Sequence, residues 1–287
     1  MHRTVLLLLA CLLLSAGCLT TSQPPAETKV MLITPADPLP IFDGRATLTN
    51  LIGEGTPKIP GNYSLAYVVI PPGNTTPPHR LIESTELIYM IGGAAEIRCD
   101  NETVTAREGE AVLLPEGVLQ SIASVGEVDL CYLSVVQPPY TAAIEMSGDE
   151  LAMLNMTTDK KPIAVADPKK GIEWNATSDT VVYTLMNPVL MSELALPIDY
   201  SLAYGEIRPG GYLDYDGING SSDLLYVIEG ELEVATPDGE SVRVPAGNAA
   251  YLLPDQVKAS RNAASSVTKI LSFVDPAWTE EKTSLWE

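Results

Sequence analysis

Histidine is scarce in this chain of 287 residues: His2 stands near the start, and His79 is the other. One imidazole cannot serve both a nucleophile and a metal, and the chain holds no G-x-S-x-G, P-loop, dinucleotide fingerprint, H-E-x-x-H or C-x-x-C. Carboxylates are plentiful, 37 Asp and Glu against 17 Lys and Arg, so nothing selects one pair for glycoside cleavage. One group stands out by spacing. Tyr212, Asp214 and Asp216 alternate, so a strand would point all three the same way. A ring beside carboxylates suits a sugar, the ring facing apolar hydrogens and the acids taking hydroxyls. The segment Tyr215–Ser222 reads equally as an acidic, turn-rich loop facing water.

The elements that must position these residues occur twice. YSLAYVVIPPG from Tyr63 lies over YSLAYGEIRPG from Tyr200 at an offset of 137 residues. The same offset carries Tyr89 onto Tyr226, Gly93 onto Gly230 and Glu96 onto Glu233, and upstream Thr47, Leu48 and Asn50 onto Thr184, Leu185 and Asn187. A period this long is a whole small domain, so the chain reads as two copies in tandem. From Thr47 onward each copy is a series of short alternating runs between Gly/Pro turns, which predicts an all-β barrel or sandwich.

Pro72-Gly73, five residues, His79, then Glu86 and six residues to Gly93 resembles the first motif of the cupin family, G-x5-H-x-H-x3,4-E-x6-G. Gly109, five residues, Pro115-Glu116-Gly117, two residues and Gln120 resembles the second, G-x5-P-x-G-x2-H-x3-N. The resemblance implies two tandem cupin (jelly-roll-type) β-barrels, and alternation from Glu86 and Asp223 puts Tyr89 and Tyr226 on outward faces as candidates for covering them. It covers roughly residues 47–137 and 182–274. Typical metal-binding cupins hold Mn, Fe, Ni, Cu or Zn with three His and one Glu; at those places the first copy has His79, Leu81, Glu86 and Gln120. Leu81 supplies no donor, so a divalent metal at His79, Glu86 and Gln120 would need water to complete its shell. The opposing reading is a relic site with His79 simply hydrogen-bonded. In the second copy Asp216, Ile218, Asp223 and Ala259 fall at the four places, which favours a hard cation or a hydroxyl-rich ligand. Tyr212, Asp214, Asp216 and Asp223 then form a candidate ligand pocket.

The expected boundaries are an export signal over 1–17, a tether over 18–35, a first barrel over 36–140, a linker over 141–175 and a second barrel with tail over 176–287. Within the linker, Ser147–Leu154 reads as a short capped helix. The apolar run Val5–Leu14 behind Arg3 is too short to span a bilayer comfortably, and the small residues after it suit a peptidase. LLSAGC resembles the lipobox of prokaryotic lipoproteins, which implies a lipid on Cys18; simple secretion and an uncleaved anchor are the alternatives. Either anchor would hold the protein at the outer face of the cytoplasmic membrane.

A net charge of −20 without a basic cluster excludes nucleic acid as a natural partner. Asn62, Asn74, Asn101, Asn155, Asn175 and Asn219 stand in N-x-S/T sequons, where chance predicts roughly one or two. That excess fits an exported and glycosylated protein, or turn chemistry in loops. Cys99 and Cys131 read either as a disulfide or as two buried thiols. The functional readings are a non-catalytic module binding a small polar molecule such as a sugar, a metal-dependent enzyme built on the first barrel, and a structural envelope protein. A homodimer is compatible with each.

Overall fold

The structure, a computed structural model, describes residues 30–153, 156, 158–165 and 167–285. The signal segment, Cys18 and the sequon at Asn155 lie outside the described residues. Two barrels of two facing sheets make up the fold, and neighbouring strands are antiparallel. In the first, a seven-stranded sheet runs Ile163–Val165, Ala111–Leu114, Thr85–Gly92, Leu130–Gln137, Ser64–Ile70, Ala46–Ile52, Leu39–Ile41. It faces five strands in the order Glu145–Ser147, His79–Leu81, Gln120–Ser124, Ala94–Cys99, Glu102–Arg107. The second barrel repeats this plan. Its large sheet runs Met31–Ile33, Ala249–Leu252, Ser222–Glu229, Thr268–Asp275, Ser201–Ile207, Thr180–Met186, Ile172–Thr177, and its small sheet is Ser241–Pro245, Glu231–Ala235, Lys258–Asn262, Tyr212–Ile218, Thr283–Leu285.

Both barrels borrow an edge. Met31–Ile33, read from sequence as tether, pairs with Ala249–Tyr251 of the second barrel, while Ile163–Val165, read as linker, pairs with Ala111–Leu113 of the first. Each segment thus precedes one barrel and covers the open edge of the other, hiding backbone groups that would otherwise template aggregation. The rest of the linker contributes Glu145–Ser147 and the short helix Gly148–Met153 beside the first barrel, and Ile172–Thr177 to the second.

Alternation decides which residues fill the barrels and which join them. Val68, Ile70, Ile88, Met90, Ile97 and Ile122 pack inside the first; Ile207, Leu225, Val227, Val234 and Ile270 pack inside the second. The outer faces of the large sheets form a third cluster shared by both copies, with Leu65, Tyr89 and Leu133 against Leu202, Tyr226 and Leu271. The repeated YSLAY letters therefore serve mainly this joint. Tyr63 meets its own counterpart Tyr200 at 5.7 Å between ring centroids, and both rings lie 6.3 Å from Phe273. Asn62 donates its backbone N–H to Asp275 at 3.2 Å, and its counterpart Asp199 donates to Gln137 at 2.8 Å. Contacts that exchange under the repeat are the signature of a two-fold joint, here inside one chain.

The hydroxyls of Tyr63 and Tyr200 are buried in this joint without a hydrogen-bond partner among the described residues. Burial pushes both phenols upward, helped at Tyr63 by Tyr251, Asp275, Asp223 and Tyr200 and at Tyr200 by Asp275. Because an unmade buried hydrogen bond is a cost, Tyr63→Phe and Tyr200→Phe should each raise stability by about 1 kcal/mol in urea unfolding.

Glycine is required where the motif ends. Gly93 and Gly230 have φ of 79° and 86°, and a Cβ on them would meet Asp129 O at 2.6 Å and Thr268 Oγ1 at 2.5 Å. Of the two readings of the cysteines, the structure has both thiols free, Cys99 buried and Cys131 half-buried. Cys99 points into the core of the first barrel from the small sheet, where burial pushes its thiol up to about 11, whereas Cys131 lies on the large sheet beside Tyr67 and Tyr226.

Candidate functional site

The first barrel brings His79, Glu86 and Gln120 together. His79 and Gln120 stand opposite each other on neighbouring strands of the small sheet, and Glu86 reaches them from the large sheet. His79 Nδ1 lies 2.9 Å from the carbonyl of Pro77, which can only accept, so the proton is on Nδ1 and Nε2 offers a lone pair. That lone pair accepts from Gln120 Nε2 at 3.1 Å. The same amide nitrogen donates to Glu86 Oε2, and Ser134 Oγ donates to Glu86 Oε1 at 2.6 Å. All three predicted residues are buried, as is Leu81. Above them opens a cavity of about 430 Å³, whose wall includes Phe42, Tyr132, Tyr140 and Glu145.

The second barrel keeps the plan with different letters. Asp216 pairs in register with Lys258, as His79 does with Gln120. Lys258 Nζ donates to Asp216 at 3.1 Å and lies 3.3 Å from Asp223 Oδ2, while Ser272 Oγ donates to Asp223 Oδ1 at 2.9 Å. Ser272 stands in the repeat where Ser134 does. The fourth position is thus Lys258 and not Ala259, a correction with a structural cause. The turn before it is aligned by its left-handed residue, Gly117 at φ 74° and Asp255 at φ 64°, and each is followed three residues later by the site residue. Counting from the prolines, which occupy different places in the two turns, slips by one. Ala259 pairs with Ala235 with its side chain on the other face of the sheet.

Asp214, Asp216 and Asp223 line a cavity of about 470 Å³ in the second barrel, but Tyr212 does not. A bulge between Leu213 and Asp216 adds one residue, so the alternation that should align Tyr212 with Asp216 is broken and Tyr212 is left exposed. The aromatic wall comes instead from Trp174 and Trp278, which meet edge to face at 5.2 Å and 74°. Trp278 belongs to the tail of the second barrel. Burial of Asp223 pushes its carboxyl above the usual range, against the pull of Lys258 and Ser272. Burial lowers the Lys258 ammonium, yet Asp216 and Asp223 more than offset this and hold it above its ordinary value.

Neither cluster fits a transition metal. In the first, the His79 lone pair and one lone pair on each Glu86 oxygen already accept from Gln120 and Ser134, and Leu81 stands where a further imidazole would be needed. In the second, an ammonium already lies between the two carboxylates. Among the described residues no group of three or more His, Cys, Asp or Glu converges as metal ligands.

Residues 66–136 match the family described as Cupin domain. A protein of Methanocaldococcus jannaschii described as uncharacterized protein MJ1618 is 31% identical over 78 residues, 27% of this chain and 62% of that protein. The match therefore spans less than two thirds of that relative. A single-residue variant of Bacillus subtilis oxalate decarboxylase superposes with a TM-score of 0.69 at 14% identity, covering 91% of this chain and 82% of that one. The formate complex of Lactobacillus farciminis oxalate decarboxylase gives 0.68 at 13% identity, covering 89% and 88%. At such identity the likeness speaks for the fold alone. The described chain has the two-domain cupin fold, its first barrel carrying the part that matches the cupin family.

Proposed function

We infer that the chain is a binding protein for small molecules, with one cavity per barrel and protein-borne donors in the places where a cupin metal would sit. One observation carries this reading: in both barrels the carboxylate on the large sheet is held by a serine and by a donor from the small sheet, Gln120 or Lys258, beneath an open cavity. A purely structural role would leave no reason for two such cavities. The reading extends to place: an exported protein, held at the outer face of the membrane through Cys18 or an uncleaved signal, with glycans at exposed sequons such as Asn62, Asn101, Asn175 and Asn219.

A second reading, a metal-dependent enzyme, has one observation in its favour. The Pro77 carbonyl fixes the His79 tautomer with the Nε2 lone pair toward Gln120, as ligating imidazoles are commonly fixed by their other ring nitrogen. The two readings separate in a thermal-shift screen of the purified chain against divalent metals and a library of sugars, polyols, amines and small acids. Binding to the folded state alone raises the melting temperature. A rise with organic compounds and none with metals is the expected result; a rise with metals alone, abolished by His79→Ala, would replace the binding protein by the enzyme.

A further inference from the structure

We propose that the second cavity takes a small organic cation, a primary amine on an apolar body, its ammonium against Asp216 and Asp214 and its body against Trp174 and Trp278. This rests on the binding reading above and names the ligand class of one of the two cavities. The neutral polar groups of the cavity wall are engaged with neighbours, although the hydroxyls of Thr184, Ser201 and Thr283 do so as acceptors and keep an O–H to donate: Thr177 donates to Tyr212 O at 3.4 Å, Thr184 accepts from Trp174 Nε1 at 3.0 Å, and Asn187 donates to Trp278 O at 2.8 Å. Ser201 and Thr283 accept from the backbone and the indole of Trp278 at 3.0 and 2.9 Å, and Ser272 is spent on Asp223. Leu213, Leu225, Ile270 and Val274 make much of the remaining surface apolar.

The charged groups then decide the sign of the ligand. The Lys258 side chain is 6% exposed and its donors face Asp216 and Asp223, so an incoming anion does not reach it freely. Asp216 is 23% exposed and keeps unused lone pairs, and Asp214 is exposed with no partner among the described residues. Two carboxylates per ammonium on the floor, with a third at the rim, leave an excess of negative charge that disfavours an acid. An ammonium between carboxylates and aromatic faces gains on both counts, because the ring quadrupole also attracts a cation. A sugar needs hydrogen-bond partners around its whole rim, whereas Leu213, Leu225, Ile270 and Val274 make much of this wall apolar.

The test is a titration of the purified chain with benzylamine, benzyl alcohol, benzoate and glucose, read by tryptophan emission and calorimetry. Benzylamine is expected to bind, to shift the emission of the indoles in the wall, and to weaken by about tenfold in Asp216→Asn, as expected for a lost charged hydrogen bond. Asp214→Asn, which removes no internal contact, is expected to weaken it as well and keeps the test open if Asp216→Asn does not fold. Tighter binding of benzoate, benzyl alcohol or glucose, or benzylamine binding that both variants leave unchanged, would overturn the cation assignment and leave a binding protein standing. If none of the four probes binds and the wider thermal-shift library is also silent, both readings fall.

Discussion

Replacing Lys258 by Met should cost about 3–5 kcal/mol of stability, because it leaves Asp216 and Asp223 facing each other without their cation. Three further expectations distinguish this from ordinary loss of packing. The cost should depend on pH: Asp223 already has its folded carboxyl raised by burial, and losing Lys258 raises it further. A carboxyl whose folded value lies above its unfolded one favours folding fully below the ordinary carboxylate range and loses that contribution as pH rises through the folded value. Lys258→Met should therefore be nearly as stable as the parent in acid and fall away toward neutrality. A divalent cation should partly rescue the variant and leave the parent unmoved, since the vacated place lies between two carboxylates and Ser272. Finally, the combined variant Lys258→Met, Asp216→Leu, Asp223→Leu should recover most of the loss, because an apolar replacement of a whole buried ionic group is often neutral. Thermal unfolding across pH, with and without calcium or manganese, measures all three.

The second large effect lies in the joint between barrels. Phe273 is fully buried and touches both Tyr63 and Tyr200, so Phe273→Ala should cost about 3–5 kcal/mol. Its consequence should be spread over both barrels and not confined to the second, because the shared cluster draws its side chains from both large sheets. Hydrogen exchange should show protection lost at Ser64–Ile70 as well as at Ser201–Ile207. Loss confined to the second barrel would mean that the barrels fold independently and that the joint is incidental. The contrast with Tyr63→Phe is informative: at one spot, removing a ring opens a cavity, whereas removing a hydroxyl relieves an unpaired group.

The fold was legible because its determinants are local and repeated. Gly93 and Gly230 mark a close approach that only glycine allows, and alternation from Glu86 and Asp223 places Tyr89 and Tyr226 on the outer face, where the joint now contains them. The first site was legible for the same reason, since His79, Glu86 and Gln120 lie on regular strands. The second was not. Its bulge after Leu213 turns Tyr212 outward, its turn carries proline at a different place, and so the cation at its centre, Lys258, was passed over for Ala259. A signal for it did exist: Gly117 and Asp255 are the left-handed residues of matching turns. Ser134 and Ser272 carried a weaker signal, a serine at the same place in both copies, on inward positions of otherwise apolar strands. The borrowed edges escaped notice because three-residue strands such as Met31–Ile33 have too few residues to show a period.

Gln120 and Lys258, donors belonging to the chain, stand beside Glu86 and Asp223 where a cupin cation would sit. Elemental analysis of the purified protein, taken from cells grown with manganese, iron, nickel, copper and zinc and then dialysed, tests this most directly beside His79→Ala and Lys258→Met. Well below one metal per chain is predicted in the parent and in His79→Ala, with manganese retained only by Lys258→Met. One transition metal per parent chain, absent from His79→Ala, would contradict the account and make the first barrel a metal centre.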